Sequence, residues 1–173
     1  SNSTISNNNA DYGGGLHNNI WGTITVTDAT ICGNYSQYSA GVYNLGNLYV
    51  ANSILAYNYG NTAYGDIFNA GNIFGNYNIS SFTDWGGINN IEYEYNQATG
   101  LGPRLFANYS QVPGQQLWQP ELKNNGGPTE TVALTRKSIA EDAGARTGTY
   151  NNGTMYAFHN DTEWVKLEDG TPV

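Results

Sequence analysis

The sequence predicts an all-β chain, a parallel β-helix or β-solenoid with three strands per coil and an irregular C-terminal extension. Three observations carry this. Segments of similar outline recur along residues 1–80, each holds short stretches in which apolar and polar residues alternate, and Asn and Gly return at the same places between them. The 173 residues suffice for one domain with a continuous core. Charged residues are only 12% beside 22 glycines, a balance foreign to helical bundles. Plentiful aromatic and β-branched residues argue against a disordered polar tract.

The first strand column aligns Thr4-Ile5-Ser6-Asn7-Asn8 with Thr30-Ile31-Cys32-Gly33-Asn34 and Ile54-Leu55-Ala56-Tyr57-Asn58. A second runs through Leu16-His17-Asn18, Val42-Tyr43-Asn44 and Ile67-Phe68-Asn69, and a third through Ile24-Thr25-Val26, Leu48-Tyr49-Val50 and Ile73-Phe74-Gly75. Alternation such as Ile24 and Val26 against Thr23, Thr25 and Thr27 is the period of a half-buried strand. A repeat of this length cannot bury its own apolar face, so repeats must stack to build one core. A sandwich of hairpins would also use Asn-Gly turns, but two-residue hairpin signals are scarce, and antiparallel pairs do not produce three matching columns.

The asparagines mark corners. Asn8, Asn34 and Asn58 fall at one, and Asn18, Asn44 and Asn69 at another, so equivalent amides should stack at the strand spacing of about 4.8 Å. Such a ladder bonds each amide to the next and to corner backbone groups that would otherwise be unpaired. Asn and Gly also tolerate the left-handed backbone that sharp corners need.

Past residue 80 the repeat fades into an irregular stretch over 81–121, followed by Asn124-Asn125-Gly126-Gly127-Pro128-Thr129, Ala133-Leu134, Ser138-Ile139-Ala140 and Asp142-Ala143-Gly144. The repeats resemble those of right-handed parallel β-helix surface proteins of the polymorphic outer-membrane-protein type. The later segment resembles the closing motif of the choice-of-anchor Q domain family, with Gly102-Pro103-Arg104-Leu105 in the same pattern. The resemblance covers about residues 1–145. It implies a right-handed coil and an extracellular, cell-surface solenoid, usually inside a larger secreted chain with a sorting or anchoring tail, and it brings no catalytic residues with it. The chain departs from the pattern at Arg136-Lys137 and after Gly144.

On its own residues the 122–146 segment reads as a turn, a strand over Glu130–Leu134 and a short helical turn around Ser138–Asp142, together covering the last coil. The tail, 147–173, carries Met155, Tyr156, Phe158, Trp164, Val165 and Leu167, enough apolar surface to lie along a sheet of its own chain or to lend a strand to a neighbour.

The net charge of −8 is wrong for phosphate-backbone binding, so no nucleic acid is expected. No run reaches the length of a membrane helix, and no membrane insertion is expected. Residues 1–103 hold no Lys or Arg, which suits exposure to extracellular proteases, although a repeat that never needed Lys would look the same. Cys32 has no partner for a disulfide and sits in an apolar slot, so it reads as a small buried hydrophobe.

Polysaccharide-cleaving enzymes also use parallel β-helices. A hydrolase needs two carboxylates about 5 to 9.5 Å apart, yet residues 1–80 carry only Asp11, Asp28 and Asp66. Asp28 and Asp66 read as isolated corner caps, Asp66 in the slot of Gly15 and Gly41. Glu92 and Glu94 share one strand face near Asp84 and Trp85, which makes these four a candidate carbohydrate or calcium site against the plainer reading of a solvated edge. His17 and His159 lack neighbours at ligand spacing, so no metal site is expected. The dense tyrosines offer either stacking platforms for carbohydrate or packing between repeats. Asn-x-Ser/Thr triplets at Asn2, Asn78, Asn108, Asn152 and Asn160 are candidate glycosylation sites, and a sixth at Asn34 belongs to the ladder.

Asn2-Ser3-Thr4-Ile5 already fits the repeat, so the expectation is an uncapped first coil, either because the chain is cut from something larger or because another subunit supplies the missing cover. The chain is then expected to associate with itself, end to end or through its tail; a heterologous contact of that kind does not close and would give a filament. The competing expectation is an adhesin or enzyme directed at carbohydrate. No cofactor is called for beyond the calcium option.

Overall fold

The computed structural model describes residues 1–61, 65–82, 86–87, 90–92, 105–112, 118–153, 155–159 and 162–173. Every regular element among them is a strand. The first repeat holds β1 (Thr4–Ser6), β2 (Asn9–Tyr12), β3 (Leu16–Asn18) and β4 (Thr23–Thr27); the second β5 (Thr30–Cys32), β6 (Tyr35–Tyr38), β7 (Val42–Asn44) and β8 (Asn47–Ala51). The third holds β9 (Ile54–Ala56), β10 (Tyr59–Gly60), β11 (Ile67–Asn69) and β12 (Asn72–Asn76), after which come β13 (Ile79–Ser80) and β14 (Ile91–Glu92).

Each strand pairs in parallel with its counterpart one repeat later, in the register the sequence alignment implies: Ile5 opposite Ile31 and Ile31 opposite Leu55, Leu16 opposite Val42 and Val42 opposite Ile67. The sheet orders are β1-β5-β9-β13-β14, β2-β6-β10, β3-β7-β11 and β4-β8-β12. The repeat therefore has four strands, not the three read from the sequence. The column β2-β6-β10 was missed because its paired positions Ala10, Ser36 and Gly60 are small or polar and give no apolar alternation.

One residue of each strand faces the interior and the next faces out. Ile31, Val42, Leu48, Val50 and Leu55 are fully buried in one cluster with Val26 and Ile67. Corners are made in the left-handed region, as expected of Asn and Gly: Asn2, Asp28, Asn52 and Tyr77 share φ between 50 and 55° at one corner, and Asn7, Gly33 and Tyr57 lie near 60° at another.

The rest of the chain covers outer faces of the repeats. Leu105, Phe106, Val132, Ala140 and Ala143 pack on the outward residues Cys32, Ile54, Ala56 and Ile79. This places the described contacts of the 122–146 segment along a flank. The strand expected over Glu130–Leu134 is reduced to two isolated antiparallel bridges, Lys123 with Thr131 and Phe106 with Leu134. The helical turn expected at Ser138–Asp142 is a series of tight turns in which the amides of Ser138, Glu141 and Ala143 donate to carbonyls three residues earlier. β15 (Tyr109–Gln111) and β16 (Trp118–Pro120) form an antiparallel pair.

The tail folds as an antiparallel sheet of β17 (Thr147–Tyr150), β18 (Met155–His159) and β19 (Trp164–Lys166). Val165 and Leu167 are buried against Ala51, flanked by Tyr49, Tyr77 and Tyr156. The tail therefore packs on its own chain.

Candidate functional site

The two asparagine columns are continuous ladders with a direction. Asn8 donates from its backbone N and from Nδ2 to Asn34 Oδ1 (3.1 and 3.0 Å), and Asn34 does the same to Asn58 Oδ1 (3.2 and 2.9 Å). The second Nδ2 hydrogen reaches a carbonyl one repeat back, Ile5 for Asn34 and Ile31 for Asn58. At the other corner Asn18 Nδ2 donates to Asn44 Oδ1 (2.7 Å) and Asn44 Nδ2 to Asn69 Oδ1 (2.6 Å). All six expected ladder asparagines are in place.

A third ladder escaped the sequence reading because its rungs differ in type. Ala29 N donates to Ser53 Oγ, Ser53 N to Asn78 Oδ1, and Asn78 N and Nδ2 to Asn90 Oδ1. Asn78 is fully buried and its Nδ2 also holds Val50 O, so in the folded chain this candidate glycosylation nitrogen is out of reach. Asn2 and Asn152 are exposed, Asn108 is half-buried, and Asn160 lies outside the described residues.

The first ladder stops on a carboxylate. Asp66 Oδ1 accepts from Asn58 N and Nδ2 (3.2 and 2.9 Å), while Oδ2 accepts from Ser81 N and Oγ (3.2 and 2.7 Å). Its backbone occupies the slot of Gly15 and Gly41, as the sequence suggested, but its side chain acts as the last rung. Burial pushes the Asp66 carboxyl above the usual carboxylate range, and its four donors pull it partly back. Burial likewise pushes the Cys32 thiol up to about 12, with the Asp66 charge adding to it, as befits an inert interior residue.

All four repeat sheets end on a first-repeat strand, β1, β2, β3 or β4. The core is open there. Ile5, Leu16 and Ile24 are only partly buried, whereas their partners Ile31, Val42 and Leu48 are 0% exposed. Asn8 is exposed, and among the described residues nothing donates to its Oδ1. The same repeat carries two extra corner residues, Ile20 and Trp21, 55% and 92% exposed, where the later repeats pass directly from Leu45 to Gly46 and from Ala70 to Gly71.

The carbohydrate candidates fare differently. Asp84, Trp85 and Glu94 lie outside the described residues, and Glu92 is an exposed strand end on β14. Tyr12 and Tyr38 stack at 4.7 Å and 12°, Tyr43 and Phe68 at 4.8 Å and 16°, and Tyr12 meets Tyr43 edge-on at 5.2 Å. Stacking covers one face of each ring, and Tyr12 and Tyr38 remain 44% and 39% exposed; Tyr57 and Tyr59 are buried and Tyr49 lies under the tail. No group of three His, Cys, Asp or Glu side chains able to hold a metal ion is found among the described residues. No helix among them is long and apolar enough to cross a membrane.

Asp28, at a left-handed corner, accepts from Asn52 Nδ2 and from Thr147 Oγ1 (3.0 Å to Oδ2), while Asn52 Oδ1 accepts from Ala145 N and its Nδ2 donates to Ala145 O. This corner pins the start of the tail sheet to the repeats. Compared with known proteins, the chain matches no family model, no curated protein and no solved structure.

Proposed function

We propose that the chain is a non-enzymatic structural protein of the extracellular or cell-surface space, a single right-handed parallel β-helix over residues 1–80 that associates through the exposed edge of its first repeat. The observation that carries this reading is the burial gradient: Ile5, Leu16 and Ile24 stand partly open where the equivalent residues one repeat later are sealed. An edge of this kind, four strands wide with unpaired backbone groups and apolar residues behind them, is a template for pairing. Right-handed winding is supported by the crossover rule, which about 98% of parallel connections obey. The surface placement is supported by the absence of Lys and Arg from residues 1–103 and by the resemblance of the repeats to surface β-helices.

Copies of the 173-residue chain meet edge to edge through β1–β4. The contact uses the same patch on both molecules and closes at two. Growth into a filament would need the far end, where β14 covers β13 and Asp66 ends the ladder. Sedimentation velocity over a wide concentration range tests this. The wild-type chain is expected to show a concentration-dependent dimer, and Asn9→Lys combined with Thr23→Lys, both at exposed edge positions, is expected to leave monomer with an unchanged unfolding midpoint. A wild-type chain that stays monomeric throughout, or a double variant that associates equally well, defeats the proposal.

A further inference from the structure

We infer that Tyr12 and Tyr38 form an oxidative coupling site, at which a one-electron oxidant joins the two rings into a dityrosine that staples the first repeat to the second. The inference is independent of the association proposed above. It rests on how the corner ahead of β3 and β7 holds these two side chains. Tyr12 ends β2 and Tyr38 ends β6, the two are paired in register, and Gly13 and Ser39 after them turn the chain in the left-handed region at φ 57° and 49°. Gly13 N donates to Tyr38 O at 3.2 Å, which ties the two corners together. The rings leave equivalent backbone positions and lie 4.7 Å apart at 12°. Both stay open to solvent, Tyr38 at 39% even though Tyr12 covers one of its faces.

Other close tyrosine pairs lack one of these features. Tyr35 and Tyr59 are also in register, but Tyr59 is 3% exposed. The Tyr109 hydroxyl donates to that of Tyr57 at 2.9 Å, yet Tyr57 is 5% exposed and out of reach of an oxidant in solution. Tyr43 meets Tyr12 edge-on at 77°, which sets an edge of one ring against the face of the other. Its own stacking partner is Phe68, which has no phenol to oxidise.

The reaction balances with hydrogen peroxide as the electron acceptor. A peroxidase-type oxidant takes one electron and one proton from each phenol, and the peroxide that drives it is reduced to two molecules of water. The two phenoxyl radicals join through their ortho carbons, and each ring passes its displaced ortho hydrogen to oxygen, which restores both phenols. The product has lost two hydrogen atoms. Coupling requires the rings to swing about Cα–Cβ and Cβ–Cγ until their ortho edges meet, a rotation that exposed side chains make within nanoseconds. Joining residues one repeat apart removes freedom from the unfolded chain, so the staple stabilises the stack.

The test uses the full chain, diluted until sedimentation shows monomer, then treated with a haem peroxidase and hydrogen peroxide. The expected product is a monomer lighter by two hydrogen atoms, with dityrosine fluorescence and a raised unfolding midpoint. Cleavage before aspartates releases residues 11–27, whose only tyrosine is Tyr12, and this peptide should be found joined to residues 28–65. Tyr38→Phe keeps the stacked ring and removes its phenol, so it should fold as wild type and lose most of the fluorescence. Oxidation in urea, which separates the repeats, should lose it too. A link from Tyr12 to a tyrosine other than Tyr38, linked dimers in place of linked monomers, or equal coupling in wild type, Tyr38→Phe and urea overturns the inference. A chain that forms no link overturns it as well.

Discussion

Asp66 shows how one residue closes a column of amides. An asparagine in its place would turn an NH2 toward the Ser81 N–H, donor against donor, whereas a carboxylate accepts from Asn58 on one oxygen and from Ser81 on the other. Burial is the larger influence and raises its pKa, so the folded state holds this proton more tightly than the unfolded chain, where an Asp titrates near 3.9. The stability linked to that proton is fully present below the unfolded value and is lost as pH rises through the folded one. The urea-unfolding stability of wild type relative to Asp66→Asn should therefore be greatest near pH 3 to 4 and decline toward neutrality. A difference that grows with pH would reverse the assignment. Periodicity could not reveal this rung, because Asp66 lies 8 residues from Asn58 rather than a full repeat away.

At the level of elements, what was legible in the sequence was what repeats in kind. The Ile5, Leu16 and Ile24 columns carry inward apolar residues, and the Asn8 and Asn18 columns keep one residue type, so their registers could be aligned by eye. The β2-β6-β10 column and the Ser53-Asn78-Asn90 ladder were not legible, since the first lacks alternation and the second changes side chain at each step. Glycines form a further column. A Cβ on Gly46 would collide with the carbonyl oxygens of Gly22 and Asn19, and one on Gly71 with Gly46 O, because the backbone of each corner rides directly on the next. Gly46→Ala should thus force two repeats apart and destabilise by about 2–4 kcal/mol in urea unfolding, in the range of overpacking and broken-network substitutions. Gly126→Ala is the control: nothing lies within 4 Å of a Cβ there, so its cost comes from a φ of +93° alone and should be smaller.

At the scale of the whole molecule, the chain divides into repeats that make the core and a C-terminal half that clothes two of its outer faces. The outward positions Cys32, Ile54, Ala56 and Ile79 under one layer, and Tyr49, Ala51 and Tyr77 under the other, explain why side chains pointing away from the interior are apolar in the second and third repeats. Outward apolar residues are invisible to a one-faced alternation rule. The tail layer is held by few groups: Leu167 and Val165 from β19 and its continuation, and the Asp28, Asn52 and Thr147 corner. Leu167 is 1% exposed, so Leu167→Ala removes buried methyl groups and should cost the tail sheet about 2–4 kcal/mol. Because only one side of the tail touches the repeats, that loss should appear as local opening. Exchange in β17–β19 should accelerate while the amides of β5–β9 keep their protection. Equal acceleration in both regions would mean that tail and repeats open as one cooperative unit, and that the tail layer is part of what keeps the stack closed.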